Sequence, residues 1–211
     1  MKKIKLFSKA LVFVSCLFFA VSTAHAQQDP LDGIPSGDYE LDLTHASVVW
    51  KVSHLGFSTY VGRFNDFEST IELDSKDFTK SRVSVEIKVD SLDTDYPNAA
   101  EKDFNKILSE EWFKSADHPT INFKSTSVSA LNGSQFTISG DLTLVGKTLP
   151  VTLNATLNGA AASHPLLKKP IIGFSATTSI DRTAWGISKY APNIGEQVSI
   201  EIEGEFLNNA N

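Results

Sequence analysis

Cysteine is almost absent from this chain. The single one, Cys16, lies inside an N-terminal segment with the three parts of a secretory signal. Lys2, Lys3, Lys5 and Lys9 form a positive start, Ala10 to Val21 an apolar run, and Ala24-His25-Ala26 a small-x-small cleavage site. The run is too short to read as a membrane span. A signal peptide is therefore expected over residues 1–26, with a mature chain from Gln27 that has no cysteine. That excludes a disulfide, a thiolate nucleophile and a Cys-ligated metal. Export without disulfides suits a bacterial periplasm. Positive charge is also scarce: the formal net charge is -6, and -10 once the four signal lysines are removed. So acidic a chain repels phosphate backbones and anionic lipid surfaces, so neither nucleic acid nor stable membrane insertion is expected.

Catalytic signatures are missing as well. There is no G-x-S-x-G elbow, no phosphate-cradling loop and no dinucleotide fingerprint, and no cofactor is expected. Of the mature histidines His45, His54, His118 and His164, no two stand at metal-clip spacing, so no metal site is expected. Nothing in these residue patterns argues for an enzyme.

What the chain does have is a period of two. Val48, Trp50, Val52 and His54 alternate with polar or smaller neighbours, and so do Val83, Val85, Ile87 and Val89. Further sets are Ile121/Phe123, Phe136/Ile138/Gly140/Leu142/Leu144, Val151/Leu153/Ala155/Leu157, Phe174/Ala176/Thr178/Ile180 and Val198 to Phe206. Such alternation predicts strands with one buried and one wet face. Asn132-Gly133, Val145-Gly146-Lys147 and Asn158-Gly159 read as turns between them. Eight or nine strands in one domain, over residues 38–207, favour a barrel or a sandwich. Residues 27–37, with two prolines and two glycines, read as a flexible lead-in.

One segment breaks the period. Asn98 is a plausible N-cap with Glu101 at the capping-box position, Phe104, Ile107 and Leu108 share a helical face, and a second turn covers Glu110 to Phe113. Over a sheet that curls on itself, this insertion would cap one open end. Small inward residues such as Gly140, Ala155, Ala176 and Gly204 are either ordinary packing or the lining of a channel. His54, inward by strand parity, is either a core histidine or a polar handle at a cavity mouth. Asp181-Arg182, before Trp185-Gly186, reads as a local pair pinning a turn or as a ligand contact.

Several stretches together carry a resemblance. These are Tyr39-Glu40-Leu41-Asp42, His54-Leu55-Gly56-Phe57-Ser58, Gly62-Arg63-Phe64-Asn65-Asp66-Phe67 and Ser91-Leu92-Asp93-Thr94. Ala100-Glu101-Lys102-Asp103, Trp112-Phe113, Pro119 to Ser125 and Gly140 to Val151 continue the series. Over Asp38 to Phe206 the sequence resembles the YceI-like proteins, periplasmic lipocalin-like barrels that bind polyisoprenoid lipids. The resemblance implies a mainly all-β fold, an antiparallel eight- or nine-stranded lipocalin-like barrel with a short helical insertion capping one end. It also implies an isoprenoid or quinone-like lipid as partner, in a polyprenyl phosphate or quinone class, and nothing in the sequence excludes a homodimer. Two departures stand out. The family's Arg-Asp-x-His-Leu is replaced by Lys102-Asp103-Phe104-Asn105-Lys106 without a histidine, and Leu166-Leu167-Lys168-Lys169 looks particular to this chain.

Gly56 and Gly62 are expected to bend the strand at a barrel corner, turning Phe57, Tyr60, Phe64 and Phe67 into the cavity or its mouth. The candidate ligand-binding residues are then Trp50, Val52, His54, Phe57, Phe64 and Phe67, with Val85 and Ile87. Phe104, Ile107, Leu108, Trp112 and Phe113 join them from the insertion, and Phe123, Leu142, Phe174, Arg182 and Trp185 from later strands and turns. The expected activity is to bind, carry or sequester the lipid. The alternatives are an enzyme acting on a lipid-like substrate through His54, or a packed barrel serving as an interaction module.

Overall fold

The computed structural model describes residues 30–98 and 100–209. The expected signal segment lies outside them. The alternating stretches form ten antiparallel strands: β1 (Gly37–His54), β2 (Ser58–Phe64), β3 (Phe67–Leu73), β4 (Arg82–Lys88) and β5 (Leu92–Asp93), then β6 (Thr120–Val128), β7 (Gln135–Leu144), β8 (Lys147–Ala161), β9 (Ile171–Asp181) and β10 (Ile194–Asn208). Eight of them, β1, β3, β4, β6, β7, β8, β9 and β10, close a ring, because β10 pairs with both β9 and β1. The expected barrel is thus a closed antiparallel barrel of eight strands. β2 pairs with the second half of β1 and carries the two-residue β5 on its other side.

Parity sets what faces inward. In β8, Val151, Leu153, Ala155 and Leu157 are buried while Thr152, Asn154 and Asn158 are exposed. Burying each such aliphatic side chain contributes about 1.5–3 kcal/mol, which is why a one-residue slip of register is disfavoured. The outward set is polar, and Lys51 Nζ on β1 meets Glu201 on β10 across the closing seam at 2.6 Å. Among the described residues no helix is long and apolar enough to cross a membrane.

The two ends differ. At one lie the Leu55–Phe57 turn, the long β5–β6 connection, the Val145-Gly146 turn and the β9–β10 loop. The other is plugged from inside the sequence. Leu31 is 2% exposed and Ile34 7%, both in the core, and the buried Tyr39 hydroxyl donates to the Pro35 carbonyl at 2.8 Å. Residues 30–36 are therefore not a free lead-in, since their two aliphatic side chains close the barrel floor.

Two local expectations are corrected. Val145-Gly146 is a two-residue hairpin turn, with φ of 48° and 72°, but Asn158-Gly159 is no turn. β8 runs through it to Ala161, with a register shift against β9 between Leu157 and Gly159. A glycine there absorbs an irregularity instead of reversing the chain. The helical insertion starts later than the Asn98 capping box implies. Its one α-turn, α1 (Phe104–Ile107), is capped by Asp103, whose carboxylate accepts from Lys106 N–H at 2.9 Å. A five-residue π-turn, Leu108–Trp112, follows.

Candidate functional site: a capped cavity at the barrel mouth

The barrel interior holds a cavity of about 410 Å³, of a size that suits a small apolar ligand or a stretch of lipid chain. The inward faces of all eight ring strands supply its walls. Trp50, Val52, Phe64, Phe67, Val85, Ile87, Phe123, Leu142 and Phe174 all line it. Large rings at Phe136, Phe174 and Phe206 stack edge to face near the floor, at 5.6 and 6.1 Å between centroids. Gly140 makes room for one wall: a Cβ there would come within 2.4 Å of the Phe123 ring.

The insertion forms the roof. Phe104, Leu108 and Trp112, at i, i+4 and i+8, face the cavity with Phe113. Ile107 is half-buried and does not line it, because the roof-facing stripe runs through the i+4 positions. Asn105 ties this roof down. Its side-chain oxygen accepts from Thr94 N–H at 3.0 Å and the Thr94 hydroxyl at 2.7 Å, and its amide donates to Asp93 at 3.1 Å. Asp93 also accepts from Asp95 N–H, the largest reason its carboxyl lies below the usual range, with the Asn105 and Asn65 amides adding to the effect. The histidine of the resembled motif is absent, and asparagine serves as an anchor for the roof.

Arg182 faces the cavity from the far side of the mouth and is buried. Its guanidinium donates to four main-chain carbonyls, Lys189 at 3.2 Å and Ile187 in the β9–β10 loop, and Ile194 at 2.7 Å and Gly195 at 2.8 Å at the start of β10. Burial lowers its pKa, opposed by Glu196 and Asp181. Asp181 itself caps the 3₁₀ turn Arg182–Trp185, accepting from Thr183 N–H and hydroxyl at 2.9 and 2.6 Å. The two side chains thus do separate jobs instead of pairing. The Arg182 guanidinium lies 5.4 Å from the Trp112 ring, Trp112 is 6.0 Å from Tyr190, and Lys189 reaches Glu111 at 2.5 Å. These three contacts join roof and loop across the mouth.

Three candidate residues fall elsewhere or differ in role. Phe57 is 91% exposed. Gly56, with φ of 74°, sits in the tight turn that reverses β1 into β2 instead of bending one strand. Inward positions on β2 are then even-numbered, so Tyr60 and Phe64 face the cavity and Phe57 does not. Trp185 is buried beside the cavity without lining it, its indole donating to the Leu142 carbonyl at 3.2 Å. His54 is an exposed residue on the cavity rim, 6.3 Å from the Tyr60 ring, so it is no core histidine. Among the described residues no group of three or more acidic, cysteine or histidine side chains could hold a metal. Ile187 and Tyr190 of the β9–β10 loop and Ile194 at the start of β10 also line the mouth. Sequence reasoning missed them because the loop has no period; the only signal was Gly186, left-handed at φ 89° just after the turn.

Comparison with known proteins agrees with this architecture. A family model described as YceI-like domain matches residues 39–206. A "UPF0312 protein" of Pseudomonas putida is 35% identical over 174 residues, covering 80% of this chain and 86% of the relative. The crystal structure of Burkholderia cenocepacia BcnA matches with a TM-score of 0.66 at 20% identity, over 78% of this chain and 98% of that one. A domain from Saccharophagus degradans, described as polyisoprenoid binding, matches with a TM-score of 0.55 at 14% identity, over 80% of this chain and 97% of that one. At such identities these two structures share the fold alone.

Proposed function

We propose that this chain, which belongs to the YceI-like domain family, binds and carries or sequesters a long-chain isoprenoid or similar amphiphilic lipid in the periplasm. The observation that carries the reading is the interior itself: an unfilled apolar cavity, roofed by an aromatic insertion, where a packed module would place side chains. The polyisoprenoid-binding description of the Saccharophagus degradans domain supports the ligand class. The signal-like residues 1–26 and the cysteine-free remainder support the compartment. Apolar burial is worth about 0.8 kcal/mol per CH₂, so roughly fifteen enclosed carbons offset the cost of association and leave about micromolar affinity. The reading is non-enzymatic, with the side chains lining the cavity acting as the ligand-binding residues. Native mass spectrometry of protein purified from its own host, followed by lipid extraction, is expected to release a prenyl lipid. Ile87→Asp, placing a charge on the β4 wall, is expected to abolish it while circular dichroism keeps the barrel signature. A folded variant still loaded with lipid refutes the cavity as the binding site.

A further inference from the structure

Trp50 Nε1 is, among the described residues, the only buried side-chain nitrogen or oxygen without a hydrogen-bond partner. A buried donor left unpaired costs about 1–3 kcal/mol, so such a group ordinarily has a use. Its setting is built. Trp50 lines the cavity from β1, opposite Gly62 on β2, and a Cβ at Gly62 would come within 2.2 Å of the indole ring. The glycine is therefore what lets the indole lie across the strand. The Tyr60 ring follows at 6.2 Å, and Phe104 of the roof stands edge-on to Tyr60 at 5.9 Å. The unpaired N–H thus belongs to the β1–β2 wall, just under the roof.

The charges of the cavity narrow what that N–H can meet. No lysine lines it, and Glu203 and His54 touch it only as exposed residues, the Glu203 carboxylate accepting from the Ser175 hydroxyl. Its one arginine, Arg182, has four of its five N–H groups on main-chain carbonyls. A phosphate brought into this space would lose water without gaining a free cation, and desolvating an unpaired anion is costly. A neutral oxygen loses far less and needs a single donor. We infer that Trp50 Nε1 donates a hydrogen bond to a neutral oxygen acceptor, a carbonyl or hydroxyl, carried by the lipid's head. The same wall then selects such a lipid over a prenyl phosphate. This rests on the lipid-binding reading above.

Three probes of matched chain length separate the alternatives: menaquinone-4, geranylgeranyl phosphate and phytane, offered to delipidated protein. In the wild type, menaquinone-4 is expected to bind more tightly than geranylgeranyl phosphate. Trp50→Phe removes wall area for every probe, and is expected to weaken menaquinone-4 by about five- to tenfold more than phytane, the value of one hydrogen bond. In ¹⁵N-labelled wild type, the Trp50 indole N–H resonance, assigned by its through-space contacts to Gly62 and Tyr60, is expected to shift with menaquinone-4 and stay with phytane. That spectrum decides the matter even if the variant folds poorly. An equal loss for both probes, an unmoved resonance, or tighter binding of the phosphate overturns the inference while leaving lipid binding intact. Failure of all three probes to bind removes the lipid-binding reading and this inference with it.

Discussion

Replacing Arg182 by Met keeps most of its volume and removes its fork of donors. Four carbonyls then lose their partner: Ile187 in the inner part of the loop, Ile194 and Gly195 where β10 begins, and Lys189 nearer the surface. Water can reach the exposed Lys189 position, whereas Ile187 is buried and Ile194 and Gly195 are half-buried. Two or three dry carbonyls at about 1–3 kcal/mol each, part of it recovered by loop relaxation, give an expected loss of about 3–5 kcal/mol. For a domain of this length that lowers Tm by about 10 °C. Arg182→Lys should regain less than half of it, because one ammonium cannot span carbonyls that a planar guanidinium reaches in several directions. Thermal unfolding by circular dichroism gives the Tm, and hydrogen exchange should show the loss concentrated in residues 186–195. A Tm within about 3 °C of wild type for Arg182→Met, with unchanged exchange in that loop, would refute the argument that this cation organises the mouth.

Other outcomes follow from the roof. Phe104→Ala with Leu108→Ala removes apolar contact from the roof and little from the barrel, so transfer of a fluorescent isoprenoid to acceptor vesicles, read by stopped flow, should speed up with most stability retained. Unchanged transfer in the folded double variant would place the gate elsewhere. The Asp93 pKa is lowered in the fold, so its contribution is full above the ordinary carboxylate value of 3.8 and is lost as pH falls below it. Amide exchange at Phe104–Trp112 should therefore accelerate on acidification before exchange in β7 and β8. Asp93→Asn should remove that pH dependence, and simultaneous loss in roof and strands would sink the idea.

The strands were legible because parity is a local signal. Val83/Val85/Ile87 and Val151/Leu153/Ala155 each announce one buried face, and β4 and β8 run through them. Asn158-Gly159 misled because a glycine pair marks a bulge as readily as a reversal, and only the partner strand decides which. Phe57 misled for a related reason: its direction depends on how many residues the turn takes, not on its own side chain. The roof was legible as apolar positions, but Ile107 was grouped with its neighbour Leu108, whereas the stripe that faces down runs through Phe104, Leu108 and Trp112 and passes it by. The work of Arg182 was illegible, because its partners are carbonyls, which carry no side-chain identity to read.

The seam between β1 and β10 joins the first strand of the barrel to the last, and Asn209 donates to Glu40 at 2.6 Å across a separation of 169 residues. Closure of this ring is therefore the latest event the chain can perform. Contacts so distant in sequence are slow to form, because the entropy of the whole intervening loop is lost before the contact rewards it. Until β10 arrives, the β1 and β9 edges both offer unpaired N–H and C=O groups, the pattern that templates pairing between chains. A nascent chain ending anywhere before Ile194 has two such edges, whereas the finished barrel has none in its ring. Protection from aggregation is thus delivered by the final fifteen-residue strand, all at once.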